Sequence, residues 1–348
     1  MYEDKAPESY WRRSWWRLRS PRRLWRSQPV KGDRTDRPLG LWVTDDAVVV
    51  VRLDRVQAFR VTTGVPLWTW RPPGEEVVVL VSADARDGVG VVLHYDDGER
   101  SPARVRLTAL DLGSGKVTWS RKQDRERLGP IGARSGGSAL GGGRVATADH
   151  HWEHGTTLRA LDPRTGATEW EHPLADPRVG RVAVLLAEPF VALLEGRGAR
   201  GRPRLLVVGE DGAEAATITL PQGYERFGER LAVAGGVLAV GLVPADTDER
   251  DKGTTIGAFD LSSGRPLWEW RGKGSSYATV LALRGWLLVV HRYGDRLSVL
   301  DPADGRVVAR RRLRGYGFHS RGSAYGDVIA LSCETVEDGG RTRVFRWS

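Results

Sequence analysis

The 348 residues suffice for one large β domain or two average domains; 40% are hydrophobic, and 43 Gly and 18 Pro supply many turns. Cys333 stands alone, which excludes an intramolecular disulfide, and no apolar run approaches the length of a membrane-spanning helix. The net charge of +9 is uneven: residues 1–38 hold eleven Lys/Arg against five Asp/Glu, so the body that follows is nearly balanced.

The chain opens with an arm over 1–38. Its stretch YWRRSWWRLRSPRRLWR, 10–26, has seven Arg and four Trp. A helix ending at Ser20 would put Trp11, Trp15 and Leu18 on one face, with Arg12, Arg13, Arg17 and Arg19 beside or opposite it and Pro21 as its stop. Trp16 and Trp25 complete the indoles. Trp with Arg suits an anionic membrane surface, where indoles seat at the interface and guanidinium groups meet phosphates. The same residues suit insertion into a protein partner, or folding back over the body. All three readings stand at this point. The basic residues are followed by more Arg and Trp rather than an apolar stretch, so no export signal is expected. The expected location is the cytoplasm, with the arm offering attachment to the inner face of the cell membrane.

From residue 39 onward the chain repeats itself. AFRVTTGVPLWTW at 58–70 returns as AFDLSSGRPLWEW at 258–270. ALDLGSGKVTW at 109–119 and ALDPRTGATEW at 160–170 are further copies. VLDPADGRVVA at 299–309 keeps Asp301 and Gly305 but has Ala309 at the Trp position. VVGEDGAEAA at 207–216 is a weak copy one residue short, and the chain ends on half a copy, VFRWS. Anchored on the Asp position, the copies fall at 60, 111, 162, 209, 260, 301 and 346. A period near 50 residues is the mark of a repeat architecture.

Each period carries short apolar runs, such as Ala47–Leu53, Val91–His94 and Val237–Val243, rich in Val and Leu and without helical spacing. About four short strands per unit over seven units predict an all-β, seven-bladed β-propeller of four-stranded antiparallel blades over 39–348. The last unit lacks a Trp-bearing strand. Residues near 26–38, such as SQPVKGD, could supply it and close the ring, or the last blade is simply short.

The phrase explains itself physically. Gly64, Gly115, Gly166, Gly264 and Gly305 fall where a hairpin needs positive φ. Asp111, Asp162, Asp260 and Asp301 can accept hydrogen bonds from turn amides. Trp68, Trp119, Trp170 and Trp268 fall on the outer strand, where a flat ring can fill the gap between blades if its N–H finds an acceptor.

The phrase A-x-D-x-x-[ST]-G-x-x-x-W, carried by Ala109–Asp111–Gly115–Trp119, Ala160–Asp162–Gly166–Trp170 and Ala258–Asp260–Gly264–Trp268, resembles the repeat of the pyrroloquinoline-quinone-type, or quinoprotein-like, β-propellers. That resemblance implies the propeller fold over roughly 40–348. It also raises quinone-dependent dehydrogenation, with calcium held by carboxylate and amide ligands and a vicinal disulfide near the cofactor. One Cys cannot form that disulfide, and the chain has no Asn to serve as an amide ligand. No cofactor is therefore expected, and a shared fold does not carry an activity with it.

Other chemistry is thin. His150 and His154 in DHHWEH are four apart, but they lie between strands, where helical ligand spacing does not apply. His94, His172, His291 and His319 are scattered over different units. Cys333 follows an apolar run, as a buried and inert thiol does. There is no nucleophile elbow and no phosphate-binding loop.

Function is then expected in the parts that do not repeat. Candidate interaction loops include the basic RGARGRPR, with Arg197, Arg200, Arg202 and Arg204, and RLRGYGFHSRGS, with Arg312, Arg314, Tyr316 and Phe318. Acid-rich loops at 96–104 and 246–252 share the same face, which disfavours nucleic acid. The expectation is a non-catalytic scaffold for a protein partner, with an anionic membrane surface as a second contact through the arm. The rival is an enzyme or sensor that takes a small molecule or quinone in the central channel. A third possibility resembles the propeller lipoprotein of outer-membrane assembly, or the sensor domains of some bacterial kinases.

Overall fold

The computed structural model describes residues 21–27, 38–82, 85, 88–96, 105–123, 145–151, 155–174, 176, 179–196, 202–245, 254–272, 278–291, 296–313, 319–333 and 341–347. These contain 27 strands and no helix. The first strand, β1 (Arg22–Arg26), precedes the ring. Sheet 1 follows with β2 (Gly40–Val43), β3 (Ala47–Val51), β4 (Val56–Arg60) and β5 (Pro66–Trp70). Sheet 2 holds β6 (Glu76–Val81), β7 (Val89–Asp96), β8 (Val105–Asp111) and β9 (Val117–Gln123). Sheet 3 has β10 (Val145–His151), β11 (Gly155–Leu161) and β12 (Thr168–Leu174). Sheet 4 comprises β13 (Val179–Ala187), β14 (Phe190–Gly196), β15 (Arg204–Val208) and β16 (Glu214–Thr219). Sheet 5 comprises β17 (Tyr224–Ala234), β18 (Val237–Pro244), β19 (Thr254–Asp260) and β20 (Pro266–Gly272). Sheet 6 is β21 (Ala278–Leu283), β22 (Trp286–His291), β23 (Arg296–Leu300) and β24 (Val307–Arg312). Sheet 7 is β25 (His319–Tyr325), β26 (Val328–Cys333) and β27 (Thr342–Arg346), completed by β1.

The expectation of seven four-stranded blades needs correction. Six sheets have four antiparallel strands, and sheet 3 has three among the described residues. The expected closing strand is also corrected. It is RRLWR, 22–26, rather than a segment beginning at SQPVKGD, and β1 pairs with β27 at the outer edge of sheet 7. The helix expected up to Ser20 lies outside the described residues.

One register runs through the molecule. Ala58 opposes Trp68, Ala109 opposes Trp119, Ala160 opposes Trp170 and Ala258 opposes Trp268, each beside a bulge. In the same place Val207 opposes Ala216 and Val299 opposes Ala309. Val344 opposes Trp25, again beside a bulge. Trp25 is thus the seventh member of the Trp position, supplied from the other end of the chain.

These indoles join sheet to sheet. Trp25 of sheet 7 donates Nε1–H to the Val61 carbonyl of sheet 1 at 2.7 Å. Trp68 donates to Leu112 O of sheet 2 at 3.1 Å, Trp119 to Pro163 O of sheet 3 at 2.7 Å, and Trp268 to Pro302 O of sheet 6 at 2.8 Å. Each ring lies on the glycine turn of the sheet it reaches. A Cβ at Gly64 would stand 2.7 Å from Trp25, and one at Gly115 would stand 2.6 Å from Trp68. Both glycines have φ of 73°. They therefore satisfy two demands at once: a left-handed turn and room for an indole.

Where no glycine hairpin follows, no Trp is sent. Strands three and four of sheet 7 are β27 and β1, joined by no turn, and the sheet 6 residue that would face such a turn is Ala309. The buried Trp347, just after β27, packs into the same apolar cluster as Ala309 and Leu313. Its backbone N–H, not its indole, donates to Asp327 O at 2.7 Å, as the backbone amide of Val61 donates to Asp46 O and that of Leu261 to Gly236 O.

The core is divided among the joints. Val191, Leu205 and Ile218 of sheet 4 meet Leu238, Val240 and Phe259 of sheet 5. Trp42 and Val49 of sheet 1 meet Val78 and Val92 of sheet 2. Val344 and Ala330 of sheet 7 meet Leu41 and Val48 of sheet 1, which closes the ring.

Truncation of Trp25 to Ala should cost about 3 kcal/mol, read as a lowered denaturation midpoint; an unchanged midpoint would show that closure does not depend on it. Gly115→Ala should destabilise more than Gly88→Ala. Both positions have positive φ, but no atom lies within 4 Å of the added carbon at Gly88. Equal losses in thermal melts would remove the steric role of the Trp68 ring.

Candidate functional site

Polar side chains gather in two places within the ring: the joints between sheets and the central channel. The richest joint lies between sheets 1 and 2. Val92 opposes Thr108, and His94, two residues on, shares that side of the sheet. His94 Nε2 meets Thr108 Oγ1 at 2.7 Å, Thr108 Oγ1 meets Ser120 Oγ at 2.9 Å, and His94 Nδ1 is bonded to Glu76 of β6. Trp70, the second Trp of PLWTW, comes from sheet 1 and sits edge-on to the imidazole, ring centres 5.6 Å apart. Sheets 5 and 6 repeat the device: Trp270 lies edge-on to His291 at 6.2 Å, and His291 Nε2 reaches Ser298 Oγ at 3.4 Å. In sheet 1 the corresponding place holds Arg52, which donates to Gln57 Oε1 at 3.1 Å.

Glu76, His94 and Thr108 follow the acid, base and hydroxyl order of nucleophilic catalysis. Access decides against that use. His94 is 1% exposed, Thr108 is 2% exposed, and Trp70 lies against the imidazole. No substrate carbonyl can approach the hydroxyl, so the series ties the strands of sheet 2 to one another, with Trp70 of sheet 1 packed over its imidazole. Burial pushes His94 below the usual imidazole range, against the pull of Glu76. Burial does the same to His291, helped by the charges of Arg296 and Arg310.

The central channel has a volume of about 560 Å³ and is walled by the inner strands of six sheets. Its lining is largely aliphatic, as with Leu41, Val184, Val233 and Leu281. Glu188, Arg284, Arg321, Tyr325 and two Ser hydroxyls supply the polar groups. Glu188 is the one carboxylate among the described lining residues, whereas a calcium site needs several oxygen ligands.

The repeat residues sit on the opposite side of the blades from the channel, in the outer hairpins. Asp111 accepts from the Ser114 amide at 2.7 Å, Asp162 from that of Arg164 at 2.7 Å, and Asp301 from that of Ala303 at 3.0 Å. Asp260 accepts from the amide of Ser263 and the hydroxyls of Ser262 and Ser263, which hold its carboxyl down at about 2. Gly166, Gly264 and Gly305 have φ between 70° and 72°. The Gly264 turn receives the Thr217 carbonyl in place of an indole. Trp170 lies over Gly212, with its buried N–H unpartnered.

The remaining sequence candidates divide. Arg202 is exposed, Arg204 bridges to Asp176 at 2.6 Å, and Arg312 is exposed at the end of β24. Trp11, Arg12, Arg13, Trp15, Trp16, Arg17 and Leu18 lie outside the described residues, as do Arg197, Arg200, Arg314, Tyr316 and Phe318. Trp25 is not on a free arm: its indole is spent on the ring. His150 and His151 are strand residues of β10, and His154 lies outside the described residues. Cys333 ends β26, but its side chain is likewise outside them. Sequence reasoning missed the use of the second Trp in PLWTW and PLWEW. The signal was present: VVLH at 91–94 and LVVH at 288–291 each end in the His that the preceding W-x-W motif covers.

A family model described as outer membrane protein assembly factor BamB matches residues 17–226, more than half of the chain. No curated protein matches the sequence significantly. Among solved structures, BamB from Moraxella catarrhalis is 17% identical, covers 95% of this chain and 98% of its own, and superposes with a TM-score of 0.51. The computationally designed Ika8 protein is 14% identical over 93% of this chain and 99% of its own, TM-score 0.52. A chain of the Mitotic Checkpoint Complex is 10% identical over 95% and 93%, TM-score 0.61. At these identities the structures speak for the fold alone.

The buried histidines give a pH dependence of known sign. Their folded pKa values are depressed, so their stabilisation is complete above the ordinary imidazole value of about 6.5. It is lost as pH falls, because the unfolded chain takes up protons that the folded one refuses. Tm should fall between pH 7 and pH 5, and less so in His94→Gln; an equal fall in both proteins would remove His94 as a cause.

Proposed function

The chain belongs to the family of the outer membrane protein assembly factor BamB, and on that premise we propose that it is a non-catalytic β-propeller scaffold. It presents its loop face to a protein partner, with the part of the arm that precedes β1 holding it at the cytoplasmic face of a membrane. We count the three-stranded sheet 3 as the seventh blade. Trp119 packs on its Gly166 turn, and its own Trp170 packs on the Gly212 turn of sheet 4, as Trp25, Trp68 and Trp268 do on the turns they reach.

One observation carries the reading: the repeated Gly and Asp, the Trp residues that follow them, and the buried His94–Thr108 pair are all committed to turns or joints between sheets. A rigid ring built this way leaves its non-repeating loops as the variable surface, where binding residues concentrate on such scaffolds. The closed access to His94 and the largely aliphatic channel support the non-catalytic part. The family's printed role, assembly of outer membrane proteins, makes a protein the partner of choice.

A photo-crosslinking amino acid at Arg202, on the loop face, should give a discrete adduct in the native cell. The same amino acid at Ser262, on the glycine-turn face, should not. Equal adducts at both positions, or none at Arg202, would overturn the proposal.

A further inference from the structure

Charge is distributed around the ring by sector. Strand β1 and residues 278–348, which build sheets 6 and 7, hold fifteen Arg against seven Asp/Glu, whereas residues 39–277 hold slightly more acids than bases. The outer strands show it most clearly. β24 carries Arg310, Arg311 and Arg312, and β1 carries Arg22, Arg23 and Arg26. By contrast β12 carries Glu169 and Glu171, β16 carries Glu214 and β20 sets Glu269 beside Arg271. Among the described strands β9 of sheet 2, with Arg121 and Lys122, is the one other basic outer strand, and it has no basic neighbour. Arg22, Arg23, Arg26, Arg310 and Arg312 are exposed on these two neighbouring edges.

The strand register adds a second observation. Arg22 stands opposite Arg346, Arg26 opposite Arg343, and Arg296 opposite Arg312. Like charges directly opposed across strands destabilise a sheet. Elsewhere the same kind of pairing is complementary: Arg159 opposes Glu171 and bonds it at 2.7 Å. Asp327 offsets part of the excess, 3.4 Å from Arg346 and 3.9 Å from Arg284, and Asp304 lies 3.8 Å from Arg306. Sheet 7 is also short of acceptors. The buried Nε of Arg321 and of Arg341, and the hydroxyls of Ser332 and Thr342, find no hydrogen-bond partner.

We propose that the outer rim of sheets 6 and 7 is a basic docking surface that seats side-on against the anionic headgroups of a phospholipid bilayer. A bilayer is favoured over other polyanions by what leads into this edge: the Trp- and Arg-rich segment 10–20 runs directly into β1 at Arg22. Indoles beside guanidinium groups fit an interface that is part apolar and part phosphate. The inference extends the membrane part of the proposed function and rests on it, but it assigns the contact to the folded ring.

The full chain is titrated with phosphatidylcholine vesicles containing phosphatidylglycerol, and with phosphatidylcholine vesicles alone. Arg22→Gln/Arg23→Gln/Arg310→Gln should bind the anionic vesicles about a hundredfold more weakly, given the usual contribution per basic residue near such a surface. Lys116→Gln/Arg164→Gln/Arg265→Gln, which removes the same charge from turns of other sheets, should bind within about twofold of the parent. Unchanged binding by the rim triple, or equal loss in both triples, overturns the rim. Tighter binding of a single-stranded oligonucleotide or an acidic peptide than of anionic vesicles overturns the lipid assignment. Trp11→Ala/Trp15→Ala/Trp16→Ala separates the two readings. If it loses binding while the rim triple keeps it, the arm stands and the rim falls; the reverse leaves the rim standing without the arm. Failure of the parent to bind anionic vesicles removes both.

Discussion

The joint between an indole and a glycine turn is the constraint on which the ring depends. A four-stranded antiparallel sheet buries neither of its faces by itself. Here each face is covered by a neighbouring sheet, and the Trp on one outer strand fixes how far and at what height the next sheet sits. The indole supplies broad apolar area, and for Trp25, Trp68, Trp119 and Trp268 the one donor is satisfied by a carbonyl of the neighbouring turn. The glycine must lack a side chain twice over, once for its φ and once for the ring above it. Where the Trp is present its glycine is present too, whereas the Gly264 turn keeps its glycine and receives the Thr217 carbonyl instead of an indole.

Buried polar groups follow the same geometry at a second level. The outer strand that presents a Trp to the next glycine can present another, two residues later, to the next imidazole. The His–hydroxyl pair then ties strands two and three of its own sheet. These contacts occur at some joints only. Sheet 4 places Leu194 and Leu206 in the equivalent positions, so an apolar filling serves as well. Polar fillings in sheets 1, 2 and 6 and apolar ones in sheets 4 and 5 thus occupy equivalent places of one repeated sheet geometry.

The repeat was legible because each element of the phrase has a local physical job. Gly115 marks positive φ, Asp111 caps the turn, and Trp119 falls at a fixed distance along the outer strand. The spacing of Asp positions located the sheets before any coordinates. The closing strand was harder to read. RRLWR carries no Gly and no Asp, because a strand that joins two chain ends has no hairpin to turn. Its Arg residues drew attention to charge and away from Leu24 and Trp25, which face the ring. The three-stranded sheet 3 was not legible either, since strand count was inferred from its neighbours. The joints at His94 and His291 were harder to see for a different reason: the W-x-W motif and the His it covers lie on different sheets, so neither sheet's own pattern shows the pair.

Closure by β1 also sets a timetable. The strand is synthesised before every other strand of the ring, and its partner β27 after them. Domains ordinarily fold from the amino terminus as they are made. In this protein Trp25 must wait for Val344 while six other sheets assemble, and until then the open flanks of sheets 1 and 6 are both exposed. A chain that lacks β27 is therefore an unsealed arc with two sticky ends, dependent on whatever shields them until that strand arrives.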